Sequence, residues 1–411
     1  MALIDRFLAR AVRRGRLTVI HPDGRRATLG AADPQIRDVT IRFADRAAER
    51  RILADPGLGA GEMYMAGRLL IEEGDVWDMI RLFKASNAWE RGGGLKARGA
   101  SRAVGAIKYR LDRYNWARRS TRNVAHHYDL SADFYRLFLD PDLQYSCAYF
   151  TDPGNTLERA QADKKAHIAA KLLLEPGMRV LDIGCGWGGL ALYLHERTGA
   201  EVLGVTLSTE QLAVARARAE AAGVADKVRF ELIDYRAVSP DDVGGRFDRI
   251  VSVGMFEHVG PPQYRAFFAK CRDLLADDGV MLLHTIGRMG KPGVTDAWTA
   301  KHIFPGGYNP ALSEIVRGYE GMRMFPTDVE VLRLHYAWTI RHWYERAVAA
   351  REMIVAMYDE RFYRMWTFYL AGAAAAFEFG GMCNYQIQLS RGRAAVPVTR
   401  DYLGPAEAGL R

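Results

Sequence analysis

From residue 178 onward, short apolar runs alternate with amphipathic stretches. The pattern predicts strands over 178–183, 201–206, 227–233, 247–253 and 279–285, and helices over 188–198, 209–222 and 262–276. Such alternation predicts an α/β fold with a parallel, doubly wound sheet. Ligands of these sheets lie beyond the carboxyl ends of the strands. Asp182, Thr206, Asp234, Glu257 and His284, all at or just past strand ends, are therefore expected around one crevice.

The flanking regions pattern differently. Residues 3–14 place Leu3, Ile4, Phe7, Leu8, Ala11 and Val12 on one helical face and Arg6, Arg10, Arg13 and Arg14 largely opposite. That face suits either a membrane surface or a docking site on its own domain. Short alternating runs follow up to Arg51, broken by a hairpin turn at His21-Pro22-Asp23-Gly24. They predict a small α+β N-terminal domain over residues 1–90, followed by a linker over 91–122 that opens on Arg91-Gly92-Gly93-Gly94. The remaining main domain is placed at 123–400. Thr156 is positioned to cap a helix that ends before Pro176-Gly177. The T-x-x-E spacing of Thr327 and Glu330 predicts a capping box and a helix through Arg346 that contains Tyr336. Helical patterning continues to about Phe379, and the rest reads as a tail of mixed polarity.

Charge is unevenly placed. The net charge of the 411 residues is +8, yet between Arg91 and Arg122 basic residues outnumber acids by ten to one. The rest of the chain is close to neutral. This segment could meet nucleic acid, anionic lipid or only solvent. The longest apolar stretch, near Phe368 to Phe377, is too short to cross a bilayer, and no secretory signal pattern opens the sequence, so a cytoplasmic location is expected. Cys147, Cys185, Cys271 and Cys383 are widely spaced, which argues against a disulfide framework or zinc cluster. The adjacent pair His126-His127 is weak evidence for metal, and no metal site is expected.

The densest chemical signal is MRVLDIGCGWGG, residues 178–189. Gly184, Gly186 and Gly188 would let the backbone turn sharply and approach a ligand. Gly184, Gly186 and Gly189 also satisfy the dinucleotide pattern G-x-G-x-x-G, which on its own is ambiguous. A dinucleotide site normally places an acid at the end of the second strand. Here that strand reads EVLGVTLSTEQ, with neutral Thr206, Ser208 and Gln211 instead. Asp182 precedes the turn, and the third strand ends in Ile233-Asp234-Tyr235, an acid beside an aromatic ring that would suit adenine.

DIGCGWGG with TLSTEQ resembles the binding site of S-adenosylmethionine-dependent methyltransferases. Combined with YSCAYF, GMFEHVG, LLHTIG and HYAWTIRHWYERA, over about residues 110–400, the chain resembles the cyclopropane-fatty-acyl-phospholipid synthases and the related mycolic acid methyltransferases. The resemblance implies a Rossmann-like class I methyltransferase core with extra helices covering an acyl chain. It also implies methyl transfer to the cis double bond of a phospholipid acyl chain, followed by proton loss as a cyclopropane closes. A methyl-branched or methylene product is the near alternative. A nucleic-acid methyltransferase is the remote one, disfavoured because no nucleic-acid-binding module is evident.

Carried over by motif, the cofactor residues are Tyr145, Ser146, Asp182, Gly184, Gly186, Gly188, Thr206, Leu207, Gln211, Asp234 and Tyr235. A bound bicarbonate would act as base. Its implied holders are the side chains of Glu257, His284 and Tyr336 and the backbone N–H groups of Cys147 and Ile286. Each of these residues also has an ordinary packing or capping reading. Tyr128, Tyr149, Phe150, Trp298 and Phe304 are candidates to line a dry pocket around a carbocation, or simply core aromatics. Some relatives carry a cysteine where this chain has Ala373, so a thiol there is not required. Peripheral association with the inner, anionic face of a membrane and a homodimer through the N-terminal domain complete the expectation.

Overall fold

Apolar pairs of adjacent residues explain the main sheet. In a strand, neighbours point to opposite faces, so a run that is apolar throughout can be covered on both. Val180, Val202 and Val251 fall in one core cluster, while Leu181, Leu203 and Ile250 fall in another. The computed structural model describes residues 2–92 and 130–411. The basic run from Lys96 to Arg122, His126-His127 and Tyr128 lie outside the described residues.

Contacts divide the described chain into two units. One draws on the chain up to residue 92 and on residues 295–305 and 337–381; the other holds residues 130–294, 306–336 and 382–411. The first unit begins with α1 (Leu3–Ala11), β1 (Gly15–Ile20), β2 (Arg26–Ala31), β3 (Val39–Phe43), α2 (Arg46–Ala54), α3 (Pro56–Met65), β4 (Leu69–Glu73) and α4 (Val76–Ala85). Its sheet has the order β2-β1-β3-β4. The expected hairpin forms at His21 to Gly24, with β1 and β2 antiparallel. Of the two readings of α1, docking holds: Ile4, Leu8, Ala11 and Val12 are buried, and only Leu3, 69% exposed, stands clear of the apolar stripe.

The second unit continues with α5 (Ala132–Arg136), α6 (Leu157–Leu172), β5 (Arg179–Ile183), α7 (Gly189–Thr198), β6 (Glu201–Thr206), α8 (Thr209–Ala221), β7 (Val228–Leu232), β8 (Phe247–Val253), α9 (Tyr264–Leu274) and β9 (Leu275–Arg288). Thr156 caps α6 through a bond from Arg159 N–H, as its position predicts. Farther along the second unit come α11 (Leu312–Tyr319), β10 (Phe325–Leu332), β11 (Met382–Ser390) and α15 (Leu403–Leu410), while α10 (Ala297–His302), α12 (His335–Ala349) from its third residue on, α13 (Arg351–Met357) and α14 (Glu360–Glu378) return to the first.

The main sheet runs β10-β11-β9-β8-β5-β6-β7. Pairings from β7 to β9 are parallel, and the strand order reverses beside β5, which puts a topological switch point at the glycine turn. The two remaining strands correct the expectation from sequence. β11 and β10 are antiparallel additions, and the T-x-x-E segment is a strand, not a helix start. Along β10 the charged Asp328 and Glu330 turn inward to Lys171 and His167, while Val329 and Val331 are 39% and 37% exposed. Inward ion pairs override the local capping signal. The helix that contains Tyr336 starts later, at His335.

Candidate active site

The turn after β5 is built by backbone geometry that favours glycine. Gly184 has φ +85°, and a Cβ there would lie 2.8 Å from Met255 Cβ. Gly188, at φ +82°, is the residue before α7, and a Cβ would lie 2.7 Å from Phe230 Cζ. The cleft beyond this turn is lined by Tyr145, Ser146, Asp182, Gly184, Gly186, Thr206, Leu207, Gln211, Asp234 and Tyr235. Gly188, also expected there, is not in the lining; it serves the turn and the packing on Phe230, and Gly189 reaches the cleft in its place. Gln144, Arg236, Met255, His258 and Gln263 line it as well and were not anticipated.

Two acids in the cleft behave differently. Asp182 is buried, its Oδ2 has no hydrogen-bond partner, and burial pushes its pKa up to about 7 despite the positive field of Lys164. A ligand bringing a cation or N–H donor would satisfy that oxygen and favour the ionised form. Burial also acts on Asp234, but hydrogen bonds from Arg236 outweigh it and hold the carboxyl below its usual range. Asp234 is thus already clamped by its own neighbour, and an exocyclic amine would have to share it with Arg236. Thr206 Oγ1 and Gln211 Oε1 lie 3.2 Å apart, and the Ser208 hydroxyl caps α8 by accepting from Gln211 N–H. The second strand end is therefore neutral.

A second group lies just past β8 and along β9. Glu257 sits in a short 3-10 turn, Phe256–His258. Its Oε1 accepts the Ile286 N–H at 2.5 Å, and its Oε2 is buried with no partner. Burial raises the carboxyl pKa to about 7. The Ile286 N–H, expected to be a free donor, is spent on presenting Glu257. His284 is buried in mid-sheet, with Gln386 Nε2 3.2 Å from Nδ1 and Asn384 Nδ2 3.4 Å from Nε2. Burial, with Lys164 and Lys171 adding positive field, lowers its pKa to about 3, so the ring is neutral.

Cys147 and Tyr336 are both buried. The segment from Cys147 to Phe150 meets the start of α12, because Phe150 N–H donates to His335 Nδ1 at 3.0 Å. None of Cys147, Glu257, His284, Ile286 and Tyr336 is in the cleft lining, although Ser146, Met255 and His258 beside them are. Among the expected lining aromatics, Tyr149 is sandwiched between His167, 4.1 Å away, and His335, 5.1 Å away, both rings nearly parallel to it. Its faces are taken. Trp298 and Phe304 lie in an apolar cluster of the other unit, with Met65, Ile303 and Phe368.

Residues 116–387 match the family described as mycolic acid cyclopropane synthetase. The chain is 41% identical to the cyclopropane-fatty-acyl-phospholipid synthase of Escherichia coli, over 84% of this chain and 85% of that protein. It is 35% identical to the tuberculostearic acid methyltransferase UfaA1 of Mycobacterium tuberculosis, over 95% of this chain and 91% of the other. Among solved structures, mycolic acid cyclopropane synthase CmaA1 complexed with SAH and CTAB superposes with a TM-score of 0.61 at 35% identity, covering 66% of this chain and 98% of that one.

Proposed function

The chain belongs to the mycolic acid cyclopropane synthetase family, and from that premise we propose that it is a cyclopropane-fatty-acyl-phospholipid synthase. It would take a methyl group from S-adenosylmethionine to the cis double bond of a phospholipid acyl chain. The observation that carries this reading is its likeness to the Escherichia coli phospholipid enzyme over most of both chains.

The residues present fit the two groups that such chemistry needs. When bound, S-adenosylmethionine supplies an electrophilic methyl on a sulfonium, and bicarbonate supplies a base that is replaced if alkylated. Tyr145, Ser146, Asp182, the turn Gly184 to Gly188, Thr206, Leu207, Gln211, Asp234 and Tyr235 would hold the first. The unpartnered Asp182 Oδ2 in a mostly neutral cleft supports a ligand that carries positive charge. Glu257, His284, Tyr336 and the main chain at Cys147 would hold the second, with the Ile286 N–H contributing only by presenting Glu257. Its support is the buried, half-satisfied Glu257 carboxyl, whose pKa near 7 lets it share a proton with an anion instead of repelling it. An alkene is a weak nucleophile, so holding the reacting atoms in line must supply much of the rate, and good positioning is worth roughly 7–11 kcal/mol.

The substrate implies a membrane. No helix among the described residues is long and apolar enough to cross one, and a peripheral association with an anionic inner face, together with a homodimer, belongs to the same proposal. Lipid analysis of cells with and without the protein tests the reading: proton NMR should show high-field cyclopropane signals only in its presence. Methyl-branched lipid in their place would favour the second reading, a methyltransferase like UfaA1, which the chain matches over 95% of its length.

A further inference from the structure

Helix α6 presents Gln161 and Lys164, three residues apart and so on one face, to the extended segment 144–147. Gln161 Nε2 donates to the main-chain oxygens of Gln144 and Ser146, at 3.2 and 3.0 Å. Lys164 Nζ donates to Gln144 Oε1 at 2.6 Å and to Ser146 Oγ at 2.9 Å. Lys164 is 1% exposed, and among the described residues it forms no ion pair with a carboxylate. Burial works against the ammonium and the fields of Asp140 and Asp142 offset part of that cost, yet its direct hydrogen bonds go to two neutral oxygens, which asks for a reason beyond packing.

The reason lies in polarity. An ammonium only donates, so Ser146 Oγ must accept from it, and the serine's own hydrogen turns away from Nζ. Ser146 lines the cleft. A hydroxyl that could otherwise rotate between donating and accepting is thereby fixed as a donor and strengthened by the charge behind it. Gln144 is oriented in the same way, with its oxygen on Lys164 and its nitrogen 3.0 Å from Asp142 Oδ2. Across the cleft lining, Asp182 Oδ2 is a buried acceptor with no partner. A fixed donor and an unpartnered acid together match the carboxylate and ammonium of an amino-acid group.

We propose that Lys164 is a positioning residue which, through Ser146 Oγ, makes the cleft selective for the carboxylate of the cofactor's amino-acid end. The inference rests on the proposed S-adenosylmethionine site. Calorimetric titration of the full chain with S-adenosylhomocysteine and with 5′-methylthioadenosine, which lacks the amino-acid end, separates the two claims. Lys164→Met should weaken S-adenosylhomocysteine on the order of 10-fold or more while leaving methylthioadenosine binding unchanged. Ser146→Ala should show the same selective loss, and the double variant should lose no more than either single one. Equal weakening of both ligands would mark Lys164 as merely structural, and additive losses would break the link through Ser146; either result overturns the inference. If Lys164→Met does not fold, Lys164→Gln, which removes the charge but keeps a polar side chain, takes its place under the same criteria, and wild-type binding of both ligands by Ser146→Ala also overturns the inference. Wild-type protein that binds neither ligand would remove the cofactor reading itself, and the inference with it.

Discussion

The Ile286 N–H donates to Glu257 Oε1 at 2.5 Å, while Oε2 of the same carboxyl is buried without a partner. One oxygen positions the group and the other is left for something else. Glu257→Gln keeps an acceptor for Ile286 and removes the acid. Turnover should fall on the order of 100-fold or more while cofactor affinity by calorimetry stays unchanged; full turnover would remove Glu257 from the base site.

The same substitution has a stability signature. Burial raises the folded-state pKa of Glu257 from 4.5 to about 7, so the folded state prefers the proton and loses stability as pH rises from the lower value to the higher. Above pH 7 the loss is on the order of 3 kcal/mol. Glutamine does not titrate. Thermal melts should show Glu257→Gln more stable than wild type at pH 8, with that advantage absent at pH 4.

Asp182→Asn tests the other partnerless oxygen. The amide keeps the shape but not the charge, so S-adenosylmethionine binding should weaken on the order of 10- to 100-fold, as for a lost bond to an ionised group. An unchanged dissociation constant would mean that the cleft does not use Asp182.

Gly188→Ala separates conformation from contact. Its φ is +82° and its Cβ would meet Phe230 Cζ at 2.7 Å, whereas Gly223, at φ +69°, has nothing within 4 Å. Gly223→Ala carries only the backbone penalty, about 1–3 kcal/mol. Gly188→Ala should lose more in a denaturant melt, because the clash with Phe230 adds to it.

His167 joins α6, β10 and α15. Its Nε2 lies 2.6 Å from Glu330 and its Nδ1 2.7 Å from Glu407. Burial opposes its charge, but the two carboxylates outweigh it and raise the pKa. A raised pKa gives stability that is fully present below the unfolded value of 6.5 and is lost as pH rises through the folded value. The melting difference between wild type and His167→Gln should therefore be widest in mild acid and shrink with rising pH; a difference that grew would refute the bridge.

The parallel core was legible because apolar runs and helical stretches alternate there with glycine and proline punctuation, and each predicted element from 178 to 285 has its counterpart. β10 was misread because its charges face inward: Asp328 and Glu330 answer Lys171 and His167, residues more than 150 positions earlier, and local spacing cannot report such partners. β11 was passed over for a related reason. Asn384, Gln386 and Gln388 alternate with Tyr385, Ile387 and Leu389, a period-two pattern that looks half solvated but is buried on both faces. Asp182, Gly184, Gly186, Thr206, Leu207, Asp234 and Tyr235 could be named in advance because they cluster at strand ends. Gln144, Gln161 and Lys164 could not, since nothing on α6 signals that its polar residues face a loop.

The buried amides of β11 fix more than the position of His284. Asn384 Nδ2 and Gln386 Nε2 both face the ring, yet a neutral imidazole has one N–H and one lone pair, so for both contacts to be hydrogen bonds one of these amides must turn its oxygen to the ring. Moving the ring proton to the opposite nitrogen would require Asn384 and Gln386 to turn over together inside a fully packed strand. The position of the ring proton on His284 is therefore tied to the orientation of two buried amides, and cannot change without both of them.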